Sequence, residues 1–369
     1  MTAAPTAPNT SVQSGTDTVL QIEDLRTSFF TEEGEIRVVN GVTVSLQRGK
    51  VLALVGESGC GKSVTSYSIL RLIRPPGRIV GGKILLTPKS GQAIDIAALD
   101  ETSDDLYRVR GGLISMIFQE PMTALSPVHT VNNQISEAIL LHQNISRKEA
   151  RERAIDMLRQ VGIPGAERRI DQFPYEMSGG MRQRIVIAMA LVCNPEVLIA
   201  DEPTTALDVM IQAQILKLIK DLQTERGTSV VFITHDLGVV AQIADDVAVM
   251  YLGRVVENAS VRHVLKAPLH PYTMSLLRSL PSRAVRGERL PAIRGNVPSL
   301  NRIPPGCPFH PRCPHAVRGR CDVGGPPPLR MFTGGRQAAC VRVEEIHPGV
   351  RETNSHPPAP SLASERGGV

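Results

Sequence analysis

The sequence predicts an α/β fold built on a parallel sheet, and three observations carry that prediction. Apolar runs of strand length read as buried on both faces, helical patterns lie between them, and a glycine-rich turn stands where one run passes into a helix. To this core the sequence adds a β-rich section near its start, a helical insert, and a small Cys/Pro-rich C-terminal part. The chain has 369 residues, 42% hydrophobic and 21% charged, enough for a large domain plus a smaller one, or for two.

The elements follow in order. The opening "MTAAPTAPNTSVQSGTDT" has neither a basic leader nor an apolar core, so residues 1–18 read as a disordered polar tail. With no secretory pattern, the six cysteines are expected in a reducing cytosol, as metal ligands or core residues. Residues 19–50 read as β-structure with a hairpin near "EEGE". The buried strands are "VLALVG" (51–56), "LISMIFQ" (113–119), "EVLIAD" (196–201) and "SVVFITHD" (229–236). Residues 121–182 read as a purely helical insert between two of them.

Within the insert, "SRKEARERAIDMLRQVGI" opens on a capping box and sets Ala150, Ala154, Met157, Leu158 and Val161 on one face. A later helix repeats Ile211, Ile215, Leu218 and Leu222 and ends on Gly227. The longest apolar run, "IVIAMALVC", stops at Asn194 and Pro195, well short of the roughly 20 residues a membrane span needs. Near residue 265 the composition shifts: proline, arginine and glycine rise, and four of the six cysteines follow. The boundaries are therefore set at 19–264 for the core, 265–345 for the C-terminal part and 346–369 for a second disordered tail. The net charge is +5; Arg283, Arg286, Arg289 and Arg294, between Arg278 and Arg302, read as a solvated linker. No aromatic residues interleave there to stack bases, so no nucleic-acid partner is expected.

"GESGCGKS" at 56–63 fits the pattern G-x-x-x-x-G-K-[ST] in its required context, after a buried strand and before a helix. Gly56, Ser58, Gly59, Cys60, Gly61, Lys62, Ser63 and Val64 form this candidate cradle. Its glycines let backbone N–H groups wrap a triphosphate, Lys62 adds a point charge, and Ser63 offers its hydroxyl to Mg²⁺. "VLIADEP" ends a strand in two carboxylates: Asp201 for the Mg²⁺ shell, and Glu202 to orient and polarise an attacking water. A second glycine pair, "MSGGMRQR" at 177–184, opens another helix. Such helix starts bind anions, yet one cradle already encloses its own triphosphate.

"GESGCGKS", "FQEP", "MSGGMRQR", "LIADEPTTALD" and "ITHD" stand in the order and spacing of ATP-binding cassette (ABC) ATPases, which residues 19–265 resemble. The resemblance implies a P-loop NTPase core of ABC type: a mixed, largely parallel sheet, an antiparallel β subdomain and an α-helical signature subdomain. It also implies that Ser178, Gly179 and Gly180 bind the γ-phosphate of ATP held by a second ATPase subunit. Moving such a pair from 1:99 to 99:1 closed takes about 5.5 kcal/mol of differential binding. At about 1.5–3 kcal/mol per charged hydrogen bond, two to four contacts suffice.

By position, the resemblance makes Gln119 the residue that touches Mg²⁺ or the water, Asp208 one that faces across the dimer, and His235 a γ-phosphate contact. It puts Phe29 on the adenine, with Phe30 adjacent. "MSGGMRQR", "EPMTALSP" and "LHPYTMSLLRSLP" are similar to the peptide-importer branch. This implies an ATPase that energises import of oligopeptides or dipeptides, with nickel or another small solute as the alternative. The implied partners are a second ATPase subunit, a paralogue of this chain; two transmembrane permease subunits; and an extracellular substrate-binding protein. The implied location is the cytoplasmic face of the inner membrane. A DNA-repair ABC ATPase is disfavoured, because no heptad run interrupts the core.

Cys307, Cys313, Cys321 and Cys340 lie in a proline-rich stretch. Four thiolates suit a [4Fe–4S] cluster or zinc, and His310 and His315 are further donors to zinc. The resemblance favours the cluster, since some permease ATPases carry one in such a segment. Cys193 reads as core and Cys60 as a small loop residue.

Overall fold

The structure, a computed structural model, describes residues 17–89, 91–119, 124–205, 208–280 and 292–353. Expectations for residues 1–16, 281–291 and 354–369, including Arg283, Arg286 and Arg289, lie outside the described residues.

Two sheets organise the chain. The first is antiparallel, in the order β2-β1-β4-β5, from β1 (Thr18–Thr31), β2 (Gly34–Gln47), β4 (Gly77–Leu86) and β5 (Ile94–Asp95). Its β1–β2 turn falls at the expected "EEGE", with Thr31 paired to Gly34. The second sheet has eight strands. Five are parallel neighbours: β9 (Asp246–Tyr251), β3 (Val51–Val55), β8 (Ser229–Thr234), β7 (Val197–Asp201) and β6 (Ile114–Ile117). Every residue of β3, β7 and β8 is buried, which is why the sequence there is continuously apolar rather than alternating.

The sheet continues past β9 through three antiparallel strands: β10 (Arg254–Ser260), β12 (Arg336–Ala338) and β11 (Arg330–Phe332). The part after residue 265 thus adds two strands to the core sheet. Phe309 packs with Tyr251, Tyr272 and Leu252 in the same apolar cluster. Residues 351–353, expected to lie in a loose tail, instead run beside β11, where Thr353 N donates to Met331 O at 2.9 Å.

Helices cover these sheets: α1 (Lys62–Ile69) and α2 (Asp104–Val109), then α3 (Val131–His142), α4 (Arg147–Gln160) and α5 (Ala166–Arg169) of the insert. After them come α6 (Gly179–Leu191), α7 (Val209–Arg226), α8 (Leu237–Ile243), α9 (Val261–Lys266), α10 (Pro271–Arg278) and α11 (Val343–Ile346). At α4 the serine half of the expected capping box is present: Ser146 Oγ accepts the Glu149 N–H at 3.2 Å, while the Glu149 carboxylate accepts from Arg153 instead, and all five expected face residues are buried. At α7 the expected stripe is rotated. Ile215, Leu216, Ile219 and Leu222 are buried, while Ile211 and Leu218 are only partly covered. The helix ends as expected on Gly227, in the left-handed conformation (φ 65°) that glycine adopts without strain.

Parallel pairing brings four strand ends to one edge of the sheet. Val55 pairs with Thr234, Ile233 with Asp201, and Ala200 with Ile117. The carboxyl ends of β3, β7, β8 and β6 therefore deliver the glycine loop, Asp201 with Glu202, His235 and Gln119 to one crevice, where open α/β sheets place their ligands.

Candidate active site

The glycine loop leaves β3 and winds into α1 through residues only glycine satisfies. Gly56 has φ 157°, and a Cβ there would lie 2.3 Å from Met250 O. Gly61, the N-cap of α1, has φ 101°, and its Cβ would meet Val38 O at 2.8 Å. Lys62 is 5% exposed; its Nζ donates to Gly56 O at 2.8 Å and Glu57 O at 3.1 Å, so its cation is already held over the loop. Ser58 and Gly59 are exposed at the rim, and Val64 is half-buried in α1. Cys60 is buried and burial pushes its thiol up, so it serves the loop through its backbone and packing, not as a reactive thiolate.

Ser63 Oγ donates to Asp201 Oδ1 at 3.2 Å. Asp201 is wholly buried, its Oδ2 has no hydrogen-bond partner, and burial raises its carboxyl to about 6. A buried carboxylate with a free oxygen beside a hydroxyl is the hard-oxygen donor set that Mg²⁺ takes. These residues fit the metal.

Glu202 follows in the left-handed region (φ 47°), a strained conformation for a residue with a side chain. Its carboxylate is the hub of the crevice. Gln119 Nε2 donates to Oε2 at 3.5 Å, Thr205 Oγ1 donates to Oε2 at 3.0 Å, and His235 Nδ1 lies 3.2 Å from Oε1. Burial alone raises the Glu202 carboxyl, but the bonds from His235 and Thr205 outweigh it and hold the group below the usual range. An ionised carboxylate fixed by three side chains orients and polarises a water rather than storing a proton. Thr205 was missed from the sequence; its signal was only its place three residues after Glu202.

Ser178 caps α6, its Oγ accepting the Met181 N–H at 3.4 Å. Ser178 is exposed, and a Cβ on Gly179 would meet nothing within 4 Å. Gln183, on α6, donates to Pro203 O at 2.6 Å, tying this helix to the loop after Glu202. Asp208 spends its carboxylate inside the chain: Oδ1 caps α7 by accepting from Met210 N and Ile211 N at 3.0 and 2.9 Å. Phe29 is half-buried with its ring over Gly77, where a Cβ would lie 2.6 Å from it, while Phe30 is exposed under the Arg78 guanidinium, 4.3 Å from the ring centre. The loop residue Glu57 is gripped by Arg312 and Tyr272, a link the sequence did not disclose.

The four C-terminal cysteines converge. Cys307, Cys313, Cys321 and Cys340 line one small cavity with His270, His310 and His315, and all four are free thiols. Burial pushes Cys307 up to about 12 and Cys313 to about 11. Among the described residues, however, no three or more His, Cys, Asp or Glu side chains are gathered closely enough to hold a metal ion. The cavity, about 10 Å³, has room for about one water. The expected [4Fe–4S] cluster is thus not supported: the thiols line one cavity, but without the close grouping or the room that a cluster needs.

Residues 39–205 match the family described as ABC transporter, and residues 256–321 the oligopeptide/dipeptide transporter C-terminal region. The oligopeptide transport ATP-binding protein AppD of Bacillus subtilis is 48% identical over 329 residues, 89% of this chain and 98% of that protein. The oligopeptide transport ATP-binding protein OppD of Escherichia coli is 45% identical over 347 residues, 94% of this chain and 100% of that protein. A solved dimer of the ATP-binding cassette MJ0796, bound to ADP and Pi after hydrolysis, superposes with a TM-score of 0.57 at 27% identity. That match covers 66% of this chain and 99% of the other. On these family matches and on identities of 45–48% over most of its length, the chain belongs to the ABC transporter ATPases, in the branch of the oligopeptide/dipeptide transport ATP-binding subunits.

Proposed function

We propose that this ATPase energises import of oligopeptides or dipeptides by closing on a second ATPase subunit each time ATP is bound. The observation that carries the reading is the incompleteness of the crevice. Glu202, Asp201, Ser63 and Lys62 approach a triphosphate from one side, while exposed Ser178 and half-buried Gly179 and Gly180 stand at another helix start. Two chains placed head to tail complete both sites. The dimer formed by the cassette MJ0796 supports the pairing of two such chains, and the oligopeptide transport role of AppD and OppD supports peptides over nickel as cargo.

Within the site, Lys62 and the loop N–H groups neutralise the phosphates, and Ser63, Asp201 and Gln119 hold the Mg²⁺. When bound, that ion spreads the charge developing on the β- and γ-phosphate oxygens. Glu202 aims the water, His235 and Thr205 keep Glu202 ionised and still, and an aromatic ring, Phe29, meets the adenine. Asp208 and the signature residues read the partner's nucleotide.

Among the described residues no helix is long and apolar enough to cross a membrane. As an ATPase of the oligopeptide/dipeptide transport branch, the chain works on this reading at the membrane's cytoplasmic face through permease partners. A cleft of about 310 Å³ supports their docking site: exposed Phe118, just before Gln119, lines it with Ala138, Val186 and Met189 of the helical insert and α6.

The function is tested in proteoliposomes holding this chain, its co-encoded ATPase and permeases, and the binding protein. ATP-dependent uptake of labelled di- to pentapeptides is expected. Uptake of nickel but no peptide overturns the cargo, and full ATPase activity from a strictly monomeric chain overturns the dimer.

A further inference from the structure

The phosphate loop carries a carboxylate, Glu57, where a triphosphate needs positive potential. Its charge is cancelled from the far end of the chain. Arg312 Nη1 and Nη2 donate to Glu57 Oε2 and Oε1 at 2.7 and 2.9 Å, a bidentate pair, with the arginine side chain 4% exposed. Arg312 is itself immobilised. Its Nε donates to Arg294 O at 3.2 Å, Nη1 lies 3.4 Å from the Tyr251 hydroxyl, and its guanidinium stands 5.9 Å from the centre of that ring.

The loop's backbone is held by the same region. Glu57 N–H donates to the Tyr272 hydroxyl at 3.0 Å, and Tyr272 is fully buried against Tyr251 and Phe309, ring centres 4.7 and 5.2 Å away. Glu57 O in turn receives Lys62 Nζ at 3.1 Å. A fixed Glu57 therefore fixes the lysine that meets the phosphates. Arg312 lies in the short turn His310–Arg312, directly before Cys313 of the cysteine cavity.

We propose that Arg312 and Tyr272 are positioning residues for the phosphate loop, through which the cysteine-bearing C-terminal segment sets the affinity of this subunit for MgATP. The proposal rests on the ATP-site reading above. It gives the segment a task in cis: cancel the loop's own anion, and hold its first turn open to the phosphates.

The test is equilibrium binding of MgATP to the full-length chain. Arg312→Met keeps the apolar stem packed but drops the charge, and leaves the Glu57 carboxylate unpaired beside the nucleotide. Affinity is expected to fall about tenfold or more, the scale of one charged hydrogen-bond pair. In the Glu57→Gln background the same substitution is expected to change affinity by less than about twofold, because no charge remains to be cancelled. Loss of packing alone gives equal losses in both backgrounds, and that result overturns the proposal, as does wild-type affinity in Arg312→Met. Should Arg312→Met not fold, Tyr272→Phe removes one hydroxyl and is expected to weaken MgATP about threefold or more; unchanged binding there also overturns it. Lys62→Ala in the same assay separates the two readings. If it binds like the wild type, the ATP site itself is misplaced; if it loses binding while Arg312→Met does not, only the clamp is wrong.

Discussion

Two helix starts in this chain carry glycines, and they are built differently. At α1 the glycines are demanded by the chain's own packing: side chains at Gly56 or Gly61 would strike backbone at 2.3 and 2.8 Å, and both residues have φ above +100°. At α6 the fold asks for no glycine. A Cβ on Gly179 meets nothing, and one on Gly180 meets Ile211 at an ordinary 3.5 Å. Alanine at either position would favour the helix by about 1 kcal/mol. No packing within the chain accounts for glycine at α6, and the proposed partner subunit does, because its nucleotide would approach this backbone closely. On that reading one start is a finished half of a site, and the other is the half offered to the partner.

The largest expected effect lies on the finished half. Glu202→Gln keeps the shape of the hub and the contacts to Gln119 and Thr205, but gives up the charge that polarises the water. Turnover by the reconstituted pair should fall about 10²–10⁴-fold with MgATP affinity held within a few-fold, and closed dimers should accumulate on a sizing column. Retained turnover would dissolve the contrast, since the hub would then not be the catalytic side.

Gly179→Asp probes the open half. With empty space around Gly179, the new side chain fits without strain, so the isolated chain should fold and bind its own MgATP normally. Across the dimer, a carboxylate then stands beside the γ-phosphate and repels it from the backbone N–H donors. Turnover of the pair should drop about 100-fold or more, at least the cost of losing one such donor contact. Equal damage to the chain's own nucleotide binding would mean that α6 serves its own loop.

The third effect is a pH dependence confined to the finished half. Burial raises Asp201 from its ordinary 3.8 to about 6, so the folded chain keeps this proton over a range where the unfolded chain has lost it. In the absence of Mg²⁺, stability contributed by Asp201 is therefore full below about pH 4 and is lost as pH rises to about 6. Mg²⁺ needs the carboxylate, so metal-dependent nucleotide affinity should be full above about pH 6 and weaken about tenfold per unit below it. Titrations between pH 5 and 8 with Asp201→Asn as control check this; the variant should be weak and flat.

Much of this contrast was legible in the sequence because it is local. A glycine loop after a strand, two carboxylates at a strand end and a serine before two glycines each declare themselves within ten residues, and parallel pairing alone brings the first two to one crevice. The β1–β2 hairpin and the α4 cap were legible for the same reason. What escaped depends on contacts between distant segments. Strands β11 and β12 are three residues each, too short to show a period, and they exist because β10 offers an edge. Arg312 meets Glu57 across 255 residues, and nothing around either residue announces the other. The stripe on α7 shifted by one position because neighbouring helices, not the helix's own period, decide which face is covered. The cysteines were expected as a set and do share a cavity, but composition says nothing of thiol separation.

Asp208 sharpens the comparison last, with the smallest effect. Its carboxylate caps α7 with two backbone bonds, so its work inside the chain is explained without a partner. Asparagine caps a helix about as well as aspartate, whereas alanine does not, at a cost of about 0.5–2 kcal/mol. Thermal or denaturant unfolding should therefore place Asp208→Asn with the wild type and Asp208→Ala about 1 kcal/mol below it. Turnover of the pair decides what remains. If both variants hydrolyse ATP as their stability predicts, Asp208 is a cap and the partner is read by α6 alone. If Asp208→Asn, stable and well capped, still loses several-fold in turnover, then its charge matters beyond its own helix. The outward-facing half would then extend from Ser178 to the start of α7, where Val209 and Met210 lie 81% and 75% exposed with no partner of their own to cover them.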